Sequence, residues 1–231
     1  MSPYLTRPRK GPYGYVVGIL TSDEPGMFAP GELQNAESFD FPVLYEAVPG
    51  LNRGPEADAA LGERVSAAAR DLESRGVRAL IGADASLLAF QREVAQAVRI
   101  PVMLSSLLQL PLIDHVLPAG RAIGVLAVDE AAARRAISDQ RLTPHRRAIA
   151  VSGVEAPAGG DAAGLKERTV AAARALCARE PDIGGLVLEG GRMCRHARAV
   201  HDATGLPVFD ALSMTRFLKA GARQDSYSGY Y

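Results

Sequence analysis

The feature that most constrains this chain is its alternation. Short runs of apolar, mostly β-branched residues are each followed by an Ala-rich stretch with helical spacing. The runs at 15–20, 42–47, 79–83, 102–104, 122–127, 147–151, 185–188 and 207–209 predict strands. The stretches at 56–74, 86–98, 107–117, 130–138, 164–179, 192–202 and 211–220 predict helices. Several runs have no polar alternate face, so both faces of those strands must be covered, as in parallel sheets layered with helices. Strands alternating with helices of this length specify an α/β fold with parallel sheets.

Local punctuation divides the chain. Pro55 precedes the helical pattern of Ala60, Val65, Ala68 and Leu72, and Gly76 ends it. Pro118, Ala119 and Gly120 form the clearest interior break, and the strand RAIGVLAV starts directly after it. This places a first lobe at 1–118, a second at 119–208 and a terminal segment at 209–231. Two segments repeat one pattern, GVRALIGADASLLAF at 76–90 and DIGGLVLEGGRMCRHA at 182–197. Each is a helix exit, a buried strand, a small-residue turn and a new helix, and each lies in a different lobe. The expectation is two similar Rossmann-like lobes, each a parallel sheet flanked by helices, related by a pseudo-two-fold axis with a central cleft. Ligands of open α/β sheets bind beyond the carboxyl ends of strands, and new helix N-termini offer N–H groups to a carboxylate or phosphate.

Composition narrows the function classes. Of 231 residues, 48% are hydrophobic, which disfavours disorder. The 26 basic residues are balanced by 26 acidic ones, so there is no electrostatic footprint for nucleic acid. No apolar run approaches the roughly 20 residues of a membrane span. The basic start MSPYLTRPRKGPYGY has no apolar signal core, and two cysteines, Cys177 and Cys194, form no disulfide framework. A cytoplasmic location is expected. Cys194, His196 and His201 do not make a metal-ligand set, because seven residues separate the outer two along a helix; His115 and His145 have no obvious partners. Neither a GxGxxG nor a P-loop pattern is present, so no cofactor is expected.

Four segments in order, GILTSDEPGMFAPGELQNAESFDFPVLYEAV (18–48), LAFQREVAQAVRIPVMLSSLLQLPLI (88–113), GLVLEGGRM (185–193) and GLPVFDALSM (205–214), resemble the aspartate/glutamate racemase superfamily. The similarity is to the branch of hydantoin racemases, arylmalonate decarboxylases and maleate isomerases. The resemblance implies two α/β lobes with the active site between them, and a C-terminal helix that returns to the first lobe. It also implies a cysteine at each of the two turns, one on either face of the substrate's α-carbon. Here those positions fall on Asp84 and Gly190, so the two-thiol mechanism does not carry over.

The implied function is a cofactor-independent isomerase or lyase acting on a small carboxylate through a carbanion or enolate. The alternatives are a non-catalytic carboxylate-binding protein and a diverged hydrolase or lyase. Asp84 is the candidate base, since a carboxylate in a closed cleft can be tuned for proton transfer; it is equally suited to cap the helix that follows, as is Ser86. Asp23 matches an aspartate of the relatives' first loop and would orient substrate or act with Asp84, or simply stabilise the loop. Ser105 and Ser106 would bind ligand or cap a helix. Arg192 would pair with a substrate carboxylate, and Gly190 and Gly191 would let substrate approach the backbone. Backbone amides at Ala85–Ser86 and Gly190–Arg192 would hold carboxylate or enolate oxygens. Glu189 resembles a glutamate of the family and would support the turn. The expected partners are a small carboxylate substrate and further copies of the chain, as a homodimer or higher homo-oligomer, with the tail QDSYSGYY as one contact.

Overall fold

Among the described residues, eight strands form two four-stranded parallel sheets with helices on their faces. The computed structural model describes residues 14–23, 25–51, 59–142, 147–155 and 164–224. The basic start, Pro55 with the first residues of the predicted helix at 56, His145, and the tail from 225 lie outside the described residues. The first sheet holds β1 (Val17–Ser22), β2 (Val43–Val48), β3 (Ala79–Gly82) and β4 (Val102–Met103) in the order β2-β1-β3-β4. The second holds β5 (Ala122–Ala127), β6 (Ile149–Gly153), β7 (Ile183–Glu189) and β8 (Val208–Phe209) in the order β6-β5-β7-β8.

The two sheets share one register over most of their length, with a shift at Ala122–Ile123 in the second. Val17 pairs with Val43 and Ala79, and Leu80 with Val102. Ile123 pairs with Ile149 and Gly185, and Leu186 with Val208. One offset, 106 positions, carries every partner of the first set onto the second. By the same offset Asp84 corresponds to Gly190, Ala83 to Glu189 and Asp23 to Asp129.

Among the described residues, seven α-helices complete the lobes: α1 (Ala59–Ser74), α2 (Gln91–Ala97), α3 (Leu110–Val116), α4 (Glu130–Asp139), α5 (Leu165–Arg179), α6 (Ala197–Thr204) and α7 (Ala211–Ala222). Three predicted helices are shorter than the sequence suggested. Each opens with a 3-10 turn, Ala85–Phe90 before α2, Ser106–Gln109 before α3 and Met193–His196 before α6. Tighter i→i+3 bonds at a helix start are a common way to arrange a first turn whose N–H groups lack helical partners.

The last helix of each half crosses to the other half. Leu110 and Ile113 of α3 join Ile123 and Val125 of the second sheet in one core. Ala211, Leu212 and Met214 of α7 join Val17, Ile19 and Ile81 of the first. At about 1.5–3 kcal/mol for each fully buried large aliphatic side chain, this exchange ties the lobes together. Arg147 secures the crossing after α3: its guanidinium donates to the carbonyls of Asp114 at 2.8 Å, Pro118 at 2.5 Å and Arg121 at 2.8 Å, and also to that of Leu117. It also lies 3.3 Å from the buried Asp114 carboxylate. Among the described residues, no helix is long and apolar enough to cross a membrane.

Candidate functional site

A cavity of about 810 Å³ lies between the lobes, within the range of small-molecule sites. The exits of β3 and β7 form one part of its wall and the exit of β5 with α4 another. The two equivalent turns touch: Gly191 donates its N–H to the Ala83 carbonyl at 3.3 Å and accepts from Leu33 N–H at 3.0 Å.

Asp84 is half-buried and lines the cavity. It occupies the cap position of the 3-10 turn but makes no capping bond. Its Oδ2 accepts from Ser22 N–H at 2.8 Å and its Oδ1 lies 3.4 Å from Ser22 Oγ. The carboxylate is thus anchored to the end of β1 instead of to the helix it precedes. Ala85 and Ser86 follow, exposed in the cavity wall. They are the first residues of the turn, where N–H groups have no acceptor within it.

Gly190 lines the cavity from the β7 side. Its φ is +113°, and a Cβ there would meet nothing within 4 Å. Backbone conformation, not crowding, is what favours glycine at this position. Gly191 is buried. Arg192 is not part of the cavity wall; its guanidinium sits 5.0 Å from the Phe28 ring centroid, over the loop that leaves β1. Asp23 is exposed and outside the wall, with Gly50 N–H donating to it at 3.4 Å.

Ser105 and Ser106 are buried against a side chain of the other lobe. Ser105 Oγ donates to Glu189 Oε1 at 2.8 Å and accepts from Leu107 N–H at 3.0 Å, so it also caps its turn. Ser106 Oγ contacts Glu189 Oε2 and lies 2.8 Å from the Leu188 carbonyl. Glu189 ends β7, is 5% exposed and lines the cavity. Burial pushes its carboxyl above the usual range, opposed in part by the hydroxyls of Ser106 and Ser105 and the N–H groups of Leu107 and Ser106.

Neither thiol belongs to the wall. Cys194 is buried beside α7, and burial, with the charge of Asp210, pushes its thiol up. Cys177 is partly buried and is pushed up by burial. His201 Nδ1 lies 2.8 Å from the Leu206 carbonyl, and no group of three His, Cys, Asp or Glu among the described residues is arranged to hold a metal ion.

Sequence reasoning predicted the helix at 130–138, observed as α4, but not that it lines the cavity. Asp129, Ala133, Arg135 and Ala136 line the cavity, and Arg135 is the one basic side chain of the wall among the described residues. A signal existed: β5 is followed by an aspartate at the position where β1 is followed by Asp23.

These features define the class of fold. Arylmalonate decarboxylase in its unliganded form aligns with a TM-score of 0.60 at 18% identity, over 90% of this chain and 92% of that one. Glutamate racemase isoform RacE1 from Bacillus anthracis aligns with a TM-score of 0.60 at 15% identity, over 90% and 82%. An aspartate racemase homologue from Pyrococcus horikoshii OT3 aligns with a TM-score of 0.58 at 15% identity, over 90% and 99%. The chain has the two-lobed α/β fold of these proteins. In sequence it is similar to a dimethylsulfoniopropionate lyase of Durusdinium sp. clade D, 27% identical over 89% of this chain and 74% of that protein. It is also similar to dimethylsulfoniopropionate lyase 5 of Emiliania huxleyi (strain CCMP1516), 24% identical over 92% of this chain but only 46% of the relative. No protein-family model matches the chain.

Proposed function

We propose that the chain is a cofactor-independent lyase of the aspartate/glutamate racemase superfamily that acts on a small carboxylate with a leaving group β to the carboxyl carbon. The observation that carries this reading is the asymmetry of the two turns. Asp84 places a carboxylate at the cavity, while its counterpart Gly190 has no side chain. Racemisation by direct proton exchange needs a base on each face of the carbon. Elimination needs one. Similarity to two dimethylsulfoniopropionate lyases supports elimination and supplies the substrate to try first.

In this reading Asp84 takes the proton from the carbon next to the carboxylate. The C–H electron pair forms the C=C bond, and the C–S pair leaves on sulfur as neutral dimethyl sulfide, with acrylate as the second product. Arg135 and the N–H groups of Ala85 and Ser86 hold the carboxylate. The acidic side chains Asp129 and Asp139 of the wall suit the positive sulfonium.

The test is dimethyl sulfide release by wild type and by Asp84→Asn. The amide keeps size and polarity but is a far poorer base, so turnover should fall by about 10²–10⁴-fold with substrate affinity nearly unchanged. Equal rates would remove Asp84 from the chemistry. Acrylate binding with no turnover of any β-substituted propionate would favour a binding protein.

A further inference from the structure

The cavity is longer than dimethylsulfoniopropionate. It has a chemical end, where the strand exits meet: Ala127 of β5 pairs with Glu189 of β7, and Gly191 N–H donates to the carbonyl of Ala83, next to Asp84. Two walls run away from that end. On the first lobe the 3-10 turn carries the wall from Asp84 to Phe90, about 12 Å at about 2.0 Å per residue. On the second lobe α4 carries it from its cap Asp129 to Gln140, about 16 Å at about 1.5 Å per residue. Dimethylsulfoniopropionate has five bonds from carboxylate oxygen to methyl carbon, and at about 1.5 Å each they reach at most about 8 Å. Its carboxylate and its proton are served by Asp84, the N–H groups of Ala85 and Ser86, and Arg135 partway along α4.

The rest of the wall is largely apolar. Leu51 and Leu61 line it and share one buried core with Phe90, so these three close the far end on the first lobe. On the second lobe, between Asp129, Arg135 and Asp139, α4 presents only the methyls of Ala132, Ala133 and Ala136. Side chains that small leave the space open, and a phenylalanine at Ala136 would fill it. An apolar ligand group that displaces water from such a wall binds favourably.

We propose that the far end is a subsite for an apolar group carried on the sulfur. The preferred substrates are then 3-(alkylmethylsulfonio)propionates whose alkyl chain, at about 1.5 Å per bond, has about four to six carbons. Ala136 on α4 and Ala89 on the 3-10 turn set the width of the subsite. The reaction is unchanged in kind. Asp84 takes the proton from the carbon next to the carboxylate, the C–H pair forms the C=C bond, and the C–S pair leaves on sulfur as a neutral alkyl methyl sulfide, with acrylate as the second product. The chemistry rests on the lyase reading; the subsite rests on the shape of the cavity.

The test is acrylate release by the full chain from 3-(alkylmethylsulfonio)propionates with methyl, butyl or hexyl on sulfur. kcat/KM should rise about fourfold for each methylene that enters the subsite, the ratio equivalent to about 0.8 kcal/mol per buried CH2. A hexyl-to-methyl ratio at or below one overturns the proposal. Ala136→Phe should lower that ratio by about tenfold or more, as a filled pocket discriminates against added methylenes. Should that variant not fold, Ala89→Leu, at an exposed position of the other wall, gives the same reading. A hexyl preference left intact by a folded variant places the chain elsewhere and overturns the proposal.

Absence of acrylate from every substrate defeats the lyase reading instead. The subsite is then read from calorimetric binding of 3-(alkylthio)propionates, whose uncharged sulfur is a poor leaving group. Affinity that rises with chain length in wild type and stays flat in the folded variant carries the subsite. Affinity that is flat in wild type, or that rises equally in the variant, overturns it.

Discussion

The stretch that leaves β1 and the stretch that leaves β5 are equivalent by the 106-position offset, yet one is an irregular loop and the other a helix. After β1, Pro25, Gly26, Pro30 and Gly31 interrupt any helix, because proline lacks the donor and glycine favours freer backbone. After β5, Asp129 accepts from Ala132 N–H at 2.8 Å and Ala-rich sequence propagates α4. The consequences diverge. The loop reaches across to the second lobe: Leu33 bonds Gly191, Glu32 pairs with Arg195 at 3.1 Å, and Phe28 lies under Arg192. Helix α4 stays on its own sheet through Ala133 and Ile137 and presents Arg135 and Ala136 to the cavity. Duplicated connections have become a clasp in one half and a site wall in the other.

That contrast can be broken most severely at the clasp. Glu32 is 2% exposed, so Arg195→Ala would strand a buried carboxylate. It should cost about 3 kcal/mol, the low end of what breaking a buried pair costs, because Arg195 itself is partly exposed. Urea unfolding measures this, and a loss below about 0.5 kcal/mol would make the pair ornamental.

The next effect concerns Gly82, whose counterpart by register is Leu188. Leu188 is fully buried with a side chain to spare, but a Cβ on Gly82 would meet the Leu104 carbonyl carbon and Cα at 2.9 Å. Gly82→Ala should destabilise by about 1–3 kcal/mol, as overpacking does. An unchanged midpoint in guanidinium would mean that the β4 exit yields easily.

The equivalent aspartates give the two smallest effects and sharpen the comparison. Asp129→Ala removes the cap of α4 and should cost about 1 kcal/mol, visible as a lower thermal midpoint. Asp23→Ala removes a long, exposed 3.4 Å contact and should stay within about 0.5 kcal/mol. Equal losses at the two positions would show that the loop depends on its aspartate as the helix does.

Much of this was legible from residue order. The buried runs specified parallel strands, and β7 is buried at every residue from Ile183 to Glu189. The repeated patterns at 76–90 and 182–197 anticipated two equivalent turns, and Asp84 and Gly190 do line one cavity. The partners of Asp84 and Glu189 were not legible. A sequence shows that Ser105 can cap a helix, which it does, but not that its proton goes to a glutamate 84 residues away in the other lobe.

What the sequence by itself determined is therefore periodic and local: strand and helix identity, the break at 118–120, the loop after β1 and the helix after β5. Each follows from side-chain spacing, capping and proline chemistry acting within a few residues. What only the tertiary structure decided is which groups meet. Packing α3 on the second sheet and α7 on the first closes the lobes upon each other. That closure buries Glu189 against two serines, and it sets Arg135 in one cavity wall with Asp84, which the pairing of β1 with β3 holds to Ser22, because burial and hydrogen-bond satisfaction act on distance in space and not along the chain.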